Sequence, residues 1–327
     1  MTMIKIGDIE LQGRVVLGPM AGVTTLAYRD FMKPFGVALS YSEMISDCGI
    51  DYKNRKTYSY LATSNVDRPV GLQLFGFDKE KTVKAIKIIE EKADYDILDI
   101  NLGCPVFKVV KTGAGSSWLS RPAELEDYMK AVVAASSKPV TAKIRLGKDS
   151  SSINVWEIAK MLEGCGIKML TVHARTVAQG YSGVPDFETI RDLGRCLSIP
   201  LCISGDIFTA DAAIKATEIT GAELVMVARG GLGNPTLITN INNRLEGKEE
   251  LPAPTIIEQT EWALKFSEAL IAEKGERVAI MELRGLIPHF FNGFPGYKKI
   301  RAEISVNIKT KEDLFRILNG ILNRNRL

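Results

Sequence analysis

Hydrophobic positions along the chain gather in eight short runs, each ending in a turn-rich stretch. They are RVVLGPMAG (14–22), ALSYSEMI (38–45), PVGLQLFG (69–76), DILDINLGC (96–104), PVTAKIRLG (139–147), KMLTVHART (168–176), PLCISGDI (200–207) and ELVMVARGG (223–231). They are rich in Val, Ile and Leu and lack polar alternation, the pattern of parallel strands covered on both faces. Between most of them the period becomes helical. In DKEKTVKAIKIIEEKA (78–93), Val83, Ile86, Ile89 and Ala93 share one face. PAELEDYMKAVVAA (122–135) and NVWEIAKMLEGCG (154–166) behave alike, the second stopping at Gly164 and Gly166. FETIRDLGRCL (187–197) and TADAAIKATEIT (209–220), with Thr209 as N-cap, continue the alternation.

Eight strands alternating with helices predict an α/β fold, a (β/α)8 TIM barrel. The rival is a doubly wound sheet, but GPMAGVT after the first run is not the glycine-rich dinucleotide turn that fold carries. At NRLEGKEELPAPT (243–255) the pattern breaks into a linker. IIEQTEWALKFSEALIAEKG (256–275) and KEDLFRILNGILNR (311–324) then read as amphipathic helices. The expectation is a barrel domain over 1–245 and an all-helical C-terminal domain over 246–327.

Composition adds limits. At 327 residues, 46% hydrophobic and 25% charged, the chain reads as an ordinary globular protein. No apolar segment approaches the roughly 20 residues that span a bilayer, so no membrane role is expected. Five cysteines, an odd number without a CxxC pair, point away from disulfides and toward a cytoplasmic location. From Arg284 onward nine Lys/Arg face three acids, a net +6 that leaves −3 for the rest. That tail fits a polyanionic partner or a solvated helical face.

In such barrels the active site occupies the C-terminal ends of the strands. Those ends carry Glu43, Gln73, Asn101 with Cys104, Lys143 with Arg145, His173 with Arg175, Ser204 with Asp206, and Arg229. Two turns suggest a phosphate: GDIFTADAA after the seventh strand, and ARGGLGNPTL (228–237) after the eighth, with Asn234 as N-cap and Pro235 at the first helical position. Gln73 suits either a flavin edge or core hydrogen bonding. Lys143, inside an apolar run, needs a partner or a task, and an ammonium near a flavin would stabilise its reduced anion. His173 reads as a satisfied core histidine or, with Lys143 and Arg175 nearby, as a neutral imidazole. No cluster has metal-ligand spacing, so no metal is expected. Cys104 stands apart from Cys48, Cys165, Cys196 and Cys202: it sits in a Gly-Cys-Pro turn trailed by Lys108 and Lys111. A thiol there is a candidate general acid, or a nucleophile if a base lies close.

These pieces resemble the flavin-dependent tRNA-dihydrouridine synthases. GPMAGVTTLAYR, SEMIS, LQLFG, DINLGCPVFKVVKTGAGSSWL, AKIRLG, TVHARTVAQGYSG, SGDI and VARGGLGNP follow the family's order over roughly 14 to 240. The resemblance implies bound FMN, NADPH or NADH as reductant, and an appended helical domain that binds RNA. It places the proton-donating cysteine at Cys104. It puts flavin contacts at Pro19, Met20, Ala21, Gln73, Lys143 and His173, and phosphate contacts at Ser204, Gly205, Asp206, Ala228 and Arg229. Asn101 and Arg145 or Arg175 would face the uracil. The implied substrate is a uridine in tRNA. Alternatives are ribosomal RNA, or a free small molecule as in dihydroorotate dehydrogenase-like barrels. The chain departs from the family pattern at Ser204, at Ala228, and in LRGLIPHFFNGFPGYKK (283–299), where Gly285–Leu286 and His289–Phe290 replace a Lys-His and a Trp-Tyr pair. Those departures bear on which RNA position is served.

Overall fold

The computed structural model describes residues 3–325. Each apolar run carries a barrel strand, the second starting one residue before its run: β1 (Val15–Leu17), β2 (Val37–Tyr41), β3 (Val70–Phe75), β4 (Ile97–Asn101), β5 (Val140–Arg145), β6 (Met169–His173), β7 (Leu201–Ser204) and β8 (Leu224–Val227). Successive strands pair in parallel, and β8 pairs with β1 through Val225↔Val15 and Val227↔Leu17, which closes the barrel. The fold is the (β/α)8 barrel that the alternation predicts.

The outer helices follow the sequence with two exceptions. Lys79–Lys92, Pro122–Ala135, Val155–Gly164 and Ala210–Thr220 form as expected, and Thr209 caps the last by accepting from the Ala212 amide at 3.1 Å. The stretch 187–197 is instead split into a 3-10 turn (Glu188–Ile190) and one short helix (Leu193–Cys196). Asp192 lies between them at φ 61°, a left-handed geometry no helix carries through. The helix after β8 runs Thr236–Leu245, so the cap falls on Pro235 and Asn234 lies outside it.

Several elements have no counterpart in the expectation, among them the helices Leu26–Met32 and Tyr297–Asn307 and an N-terminal hairpin. Lys5–Ile6 and Ile9–Glu10 form a hairpin around Gly7 at φ 63°. Its Ile6, with Leu11, packs on Val16, Leu39, Ile97, Met169 and Leu224, closing one end of the barrel. The middle of the barrel is polar. The Tyr41 hydroxyl meets Thr141 Oγ1 at 3.0 Å, and Thr141 donates to Asp99 at 2.7 Å. Only glycine at position 71 leaves room for that tyrosine, since a Cβ there would lie 2.3 Å from its ring.

Past Leu245 the chain is irregular until Thr255 and Glu258 form a capping box on the helix Ile256–Lys274. Helices Glu276–Leu286, Tyr297–Asn307 and Lys311–Asn325 follow, with a 3-10 turn at Ile287–Phe291. These helices share the barrel's hydrophobic core. Phe31 of the first outer helix (Leu26–Met32) sits 5.6 Å from Phe266 and 5.9 Å from Phe290, ring centroid to centroid. Tyr28 meets Phe266 at 5.6 Å and Phe35 meets Trp262 at 5.3 Å. Each such pair contributes about 0.5–1.5 kcal/mol beyond area burial. Among the described residues no helix is long and apolar enough to cross a membrane.

Candidate active site

Asn101 ends β4, and its side chain shapes the turn that follows. Asn101 Oδ1 accepts the amide hydrogens of Gly103 at 3.2 Å and Cys104 at 2.9 Å, a local turn of the kind Asn favours. Arg145 at the end of β5 donates from Nε to the Gly103 carbonyl at 2.9 Å, and the Ser116 amide donates to the Cys104 carbonyl at 3.1 Å. Gly115, at φ +60°, permits that return: a Cβ would stand 3.0 Å from the Cys104 carbonyl oxygen. Cys104 is 9% exposed and packs against Val109, Ala114, Met44 and Phe75. Burial pushes its pKa up, with the Val106 amide, Arg145 and Lys143 pulling back. It therefore keeps its proton at neutral pH.

Beside this turn a cavity of about 110 Å³ opens at the strand ends. Pro19, Met20, Lys143, His173, Ser204, Gly205, Asp206, Ala228 and Arg229 line it, contributed by the ends of β5, β6, β7, β8 and β1, which are neighbours in that order around the barrel. Ala21 is exposed on the loop after β1 and is not in its wall. Gln73 is absent from the wall too. It is fully buried, with Nε2 donating to Asp99 Oδ2 at 2.6 Å and Oε1 accepting from Asn101 Nδ2 at 2.8 Å, so its amide is largely committed to the core.

The Lys143 ammonium makes no hydrogen bond or ion pair with any described residue. Burial, then the charge of Arg145, lowers its pKa to about 8, while Asp99 opposes the shift. An unpartnered cation at the cavity wall suits an electron-rich or anionic ligand. His173 is 8% exposed. Burial and the cations Lys143, Arg145, Arg175 and Arg229 lower its pKa to about 2, so the ring is neutral.

Arg145 and Arg175 are buried and committed to the protein. Besides Gly103, Arg145 holds the Thr176 and Gly180 carbonyls at 2.9 and 2.8 Å. Arg175 donates to the Ser182 and Gly183 carbonyls at 3.1 and 2.7 Å and pairs with both oxygens of Asp206. The two arginines thus shape the loop after β6. Arg229, half exposed, donates to Asp206 at 2.7 Å. Held by Arg175 and Arg229, the Asp206 carboxyl stays below the usual carboxylate range. No described acceptor takes the backbone N–H of Gly205, Asp206, Arg229 or Gly230. Four free amides beside an arginine fit a phosphate, whereas Asn234 plays no part as a cap.

Two participants lacked a specific sequence reading. Tyr181 lines the cavity, 6.2 Å from the His173 ring, with the Arg229 guanidinium 4.8 Å from its centroid. The glycine-flanked QGYSG after a strand end was its only signal. Glu43, at the end of the second apolar run, accepts from the Gly22 amide at 2.5 Å and so anchors the loop bearing Pro19 and Met20. Across Phe208, Arg229 and Gly230 the cavity continues into a larger groove of about 700 Å³. Gln259 of the helix Ile256–Lys274, His289 and Phe290 of the 3-10 turn, and Asn292 and Phe294 of the turn after it form its far wall. Among the described residues no group of three His, Cys, Asp or Glu side chains converges as a metal site.

The dihydrouridine synthase (Dus) family profile matches residues 16–324. The chain belongs to the dihydrouridine synthase family. A probable tRNA-dihydrouridine synthase 1 from Synechocystis sp. is 37% identical, covering 92% of this chain and 84% of its own length. A probable tRNA-dihydrouridine synthase from Rickettsia conorii is 34% identical with 99% of each chain covered. The tRNA-dihydrouridine synthase B of Pseudomonas aeruginosa is 33% identical over 93% of this chain and 92% of its own. Family membership thus rests on nearly the whole length, C-terminal helices included.

Proposed function

We propose that this dihydrouridine synthase reduces the C5–C6 double bond of a uridine in tRNA, with FMN in the strand-end cavity and NADPH or NADH as reductant. The observation that carries the reading is the placement of a protonated thiol, Cys104, on a braced turn next to a cavity with one unpaired ammonium and four unpaired amides. The bound FMN would supply, once reduced, a hydride to uracil C6.

The chain's own residues do the rest. Gly205, Asp206, Arg229 and Gly230 would hold the FMN phosphate through their free amides and the Arg229 guanidinium. Lys143 would sit against the flavin ring and favour its reduced, anionic form. His173, being neutral, adds no second positive charge there and can accept or donate one hydrogen bond. Cys104 would donate its proton to C5, which completes the addition of hydride and proton across the bond. Asn101 and Arg145 would act by aiming Cys104, and Arg175 by holding Asp206 and the Tyr181 loop. A uridine must leave its stack to reach this cavity. The groove walled by Phe290 and Phe294, with the exposed Lys298–Lys299 pair following shortly after in sequence, would receive the RNA around it. A cytoplasmic location follows from that substrate.

The test is turnover by the purified protein supplied with FMN, NADPH and unmodified tRNA. Dihydrouridine should appear in the tRNA by mass spectrometry, while free uracil and orotate remain unchanged. Reduction of either small molecule without any effect on tRNA would refute the proposal.

A further inference from the structure

Asp99 is 1% exposed in the middle of β4, two residues before Asn101, and no ligand could reach it without opening the barrel. We propose that Asp99 is a positioning residue that sets the direction of two amide side chains in series, Gln73 and Asn101, and through them holds the Cys104 turn. The proposal rests on the reading of Cys104 as the proton donor.

The argument is one of donors and acceptors. An ionised carboxylate only accepts. Asp99 Oδ1 accepts from Thr141 Oγ1 at 2.7 Å, and Oδ2 accepts from Gln73 Nε2 at 2.6 Å. The Gln73 nitrogen must therefore face Asp99, which turns its oxygen toward Asn101. That oxygen accepts from Asn101 Nδ2 at 2.8 Å, so Asn101 must present its own oxygen to the amides of Gly103 and Cys104. Reversing Gln73 alone would set oxygen against carboxylate and nitrogen against nitrogen. Reversing Asn101 as well would set its NH2 against two backbone N–H groups. Each buried mismatch leaves polar groups unpaired where no water can satisfy them, so the reversed arrangements are disfavoured. A neutral side chain at position 99 could face Gln73 with either end and would leave the series undirected.

The reading is tested by swapping the carboxylate along the series. In Asp99→Asn the direction is lost. In Asp99→Asn combined with Gln73→Glu, the carboxylate now at position 73 accepts from the amide at position 99 and from Asn101. The Asn101 direction is thereby restored with the same total charge. The first readout is the rate of Cys104 alkylation by iodoacetamide, followed peptide by peptide in the purified protein, with exposed Cys196 as internal reference. It needs no RNA and no turnover, so it stands whether or not tRNA is the substrate. Asp99→Asn should speed Cys104 alkylation about threefold or more as the turn loosens. It should lower kcat on tRNA about tenfold or more with KM little changed, and the double variant should recover most of both. An unchanged alkylation rate in Asp99→Asn, or a folded double variant no better than the single one, overturns the proposal. Should Asp99→Asn not fold, Asn101→Ser removes only the last link and must raise the Cys104 rate by a similar factor; a wild-type rate there overturns it equally.

Discussion

Arg145 donates to the Gly103 carbonyl at 2.9 Å with one nitrogen and to the Thr176 and Gly180 carbonyls with another. One side chain at the end of β5 thus joins the turn after β4 to the loop after β6. A lysine cannot reproduce that fork, since its single ammonium has no planar set of donors. Arg145→Lys is expected to cost about 2–3 kcal/mol of stability and to lower kcat on tRNA more than it raises KM. Denaturant melts with steady-state kinetics check both; equal effects on kcat and KM would argue for direct RNA binding by Arg145.

Cys104→Ala and Cys104→Ser separate proton donation from packing. Both should retain FMN, because Cys104 lies outside the cavity wall. Uridine reduction should fall by about two to four orders of magnitude, the usual worth of a general acid, while NADPH oxidation continues. Flavin content by absorbance and dihydrouridine by mass spectrometry give the two numbers; full turnover in Cys104→Ala would end the general-acid role.

Lys143 predicts a pH-dependent gain in stability on its removal. Burial lowers its pKa from 10.5 to about 8. Between those values the unfolded chain holds more protons, so stability rises with pH across that window. The penalty is complete below pH 8 and gone above the unfolded value. Lys143→Met should therefore stabilise the ligand-free protein at pH 7 by up to about 3 kcal/mol, with the gain fading near pH 10. Urea midpoints at the two pH values decide it, and destabilisation at pH 7 would mean that the ammonium is not the burden described.

Removing the C-terminal helices is a poor test of RNA binding. A chain ending at Leu245 would expose Tyr28, Phe31 and Phe35, whose ring partners Phe266, Phe290 and Trp262 lie beyond it. Such a truncation is expected to aggregate. Charge reversal at the exposed Lys298 and Lys299 keeps the core and should weaken tRNA binding about tenfold and flatten its salt dependence. NADPH oxidation should be unchanged. Unaltered affinity would move the RNA contact away from the Tyr297–Asn307 helix.

The barrel was legible because its strands are covered on both faces and read as unbroken apolar runs, whereas its outer helices keep their own period. Thr209 announced its cap for the same reason: the signal is local. The hairpin around Gly7 has only a brief local pattern, the alternation of IKIGDIEL about a Gly-Asp turn. The strand ends identified where polar groups gather but not which way they point. Gln73, Arg145 and Arg175 all turned out to be held by protein partners distant in sequence. The place of Asp99 is not legible in the sequence, because a carboxylate in an apolar run shows its purpose only when Thr141 and Gln73 are beside it. The shared core of barrel and C-terminal helices was hidden likewise, since the Phe31–Phe266 contact spans most of the chain.

The most direct measurement is a position-by-position map of dihydrouridine in tRNA from cells lacking this protein, complemented with wild type or with Cys104→Ala. The account predicts that at least one tRNA uridine loses the modification, that wild type restores it, and that Cys104→Ala does not. An unchanged tRNA map, or full restoration by Cys104→Ala, would contradict it.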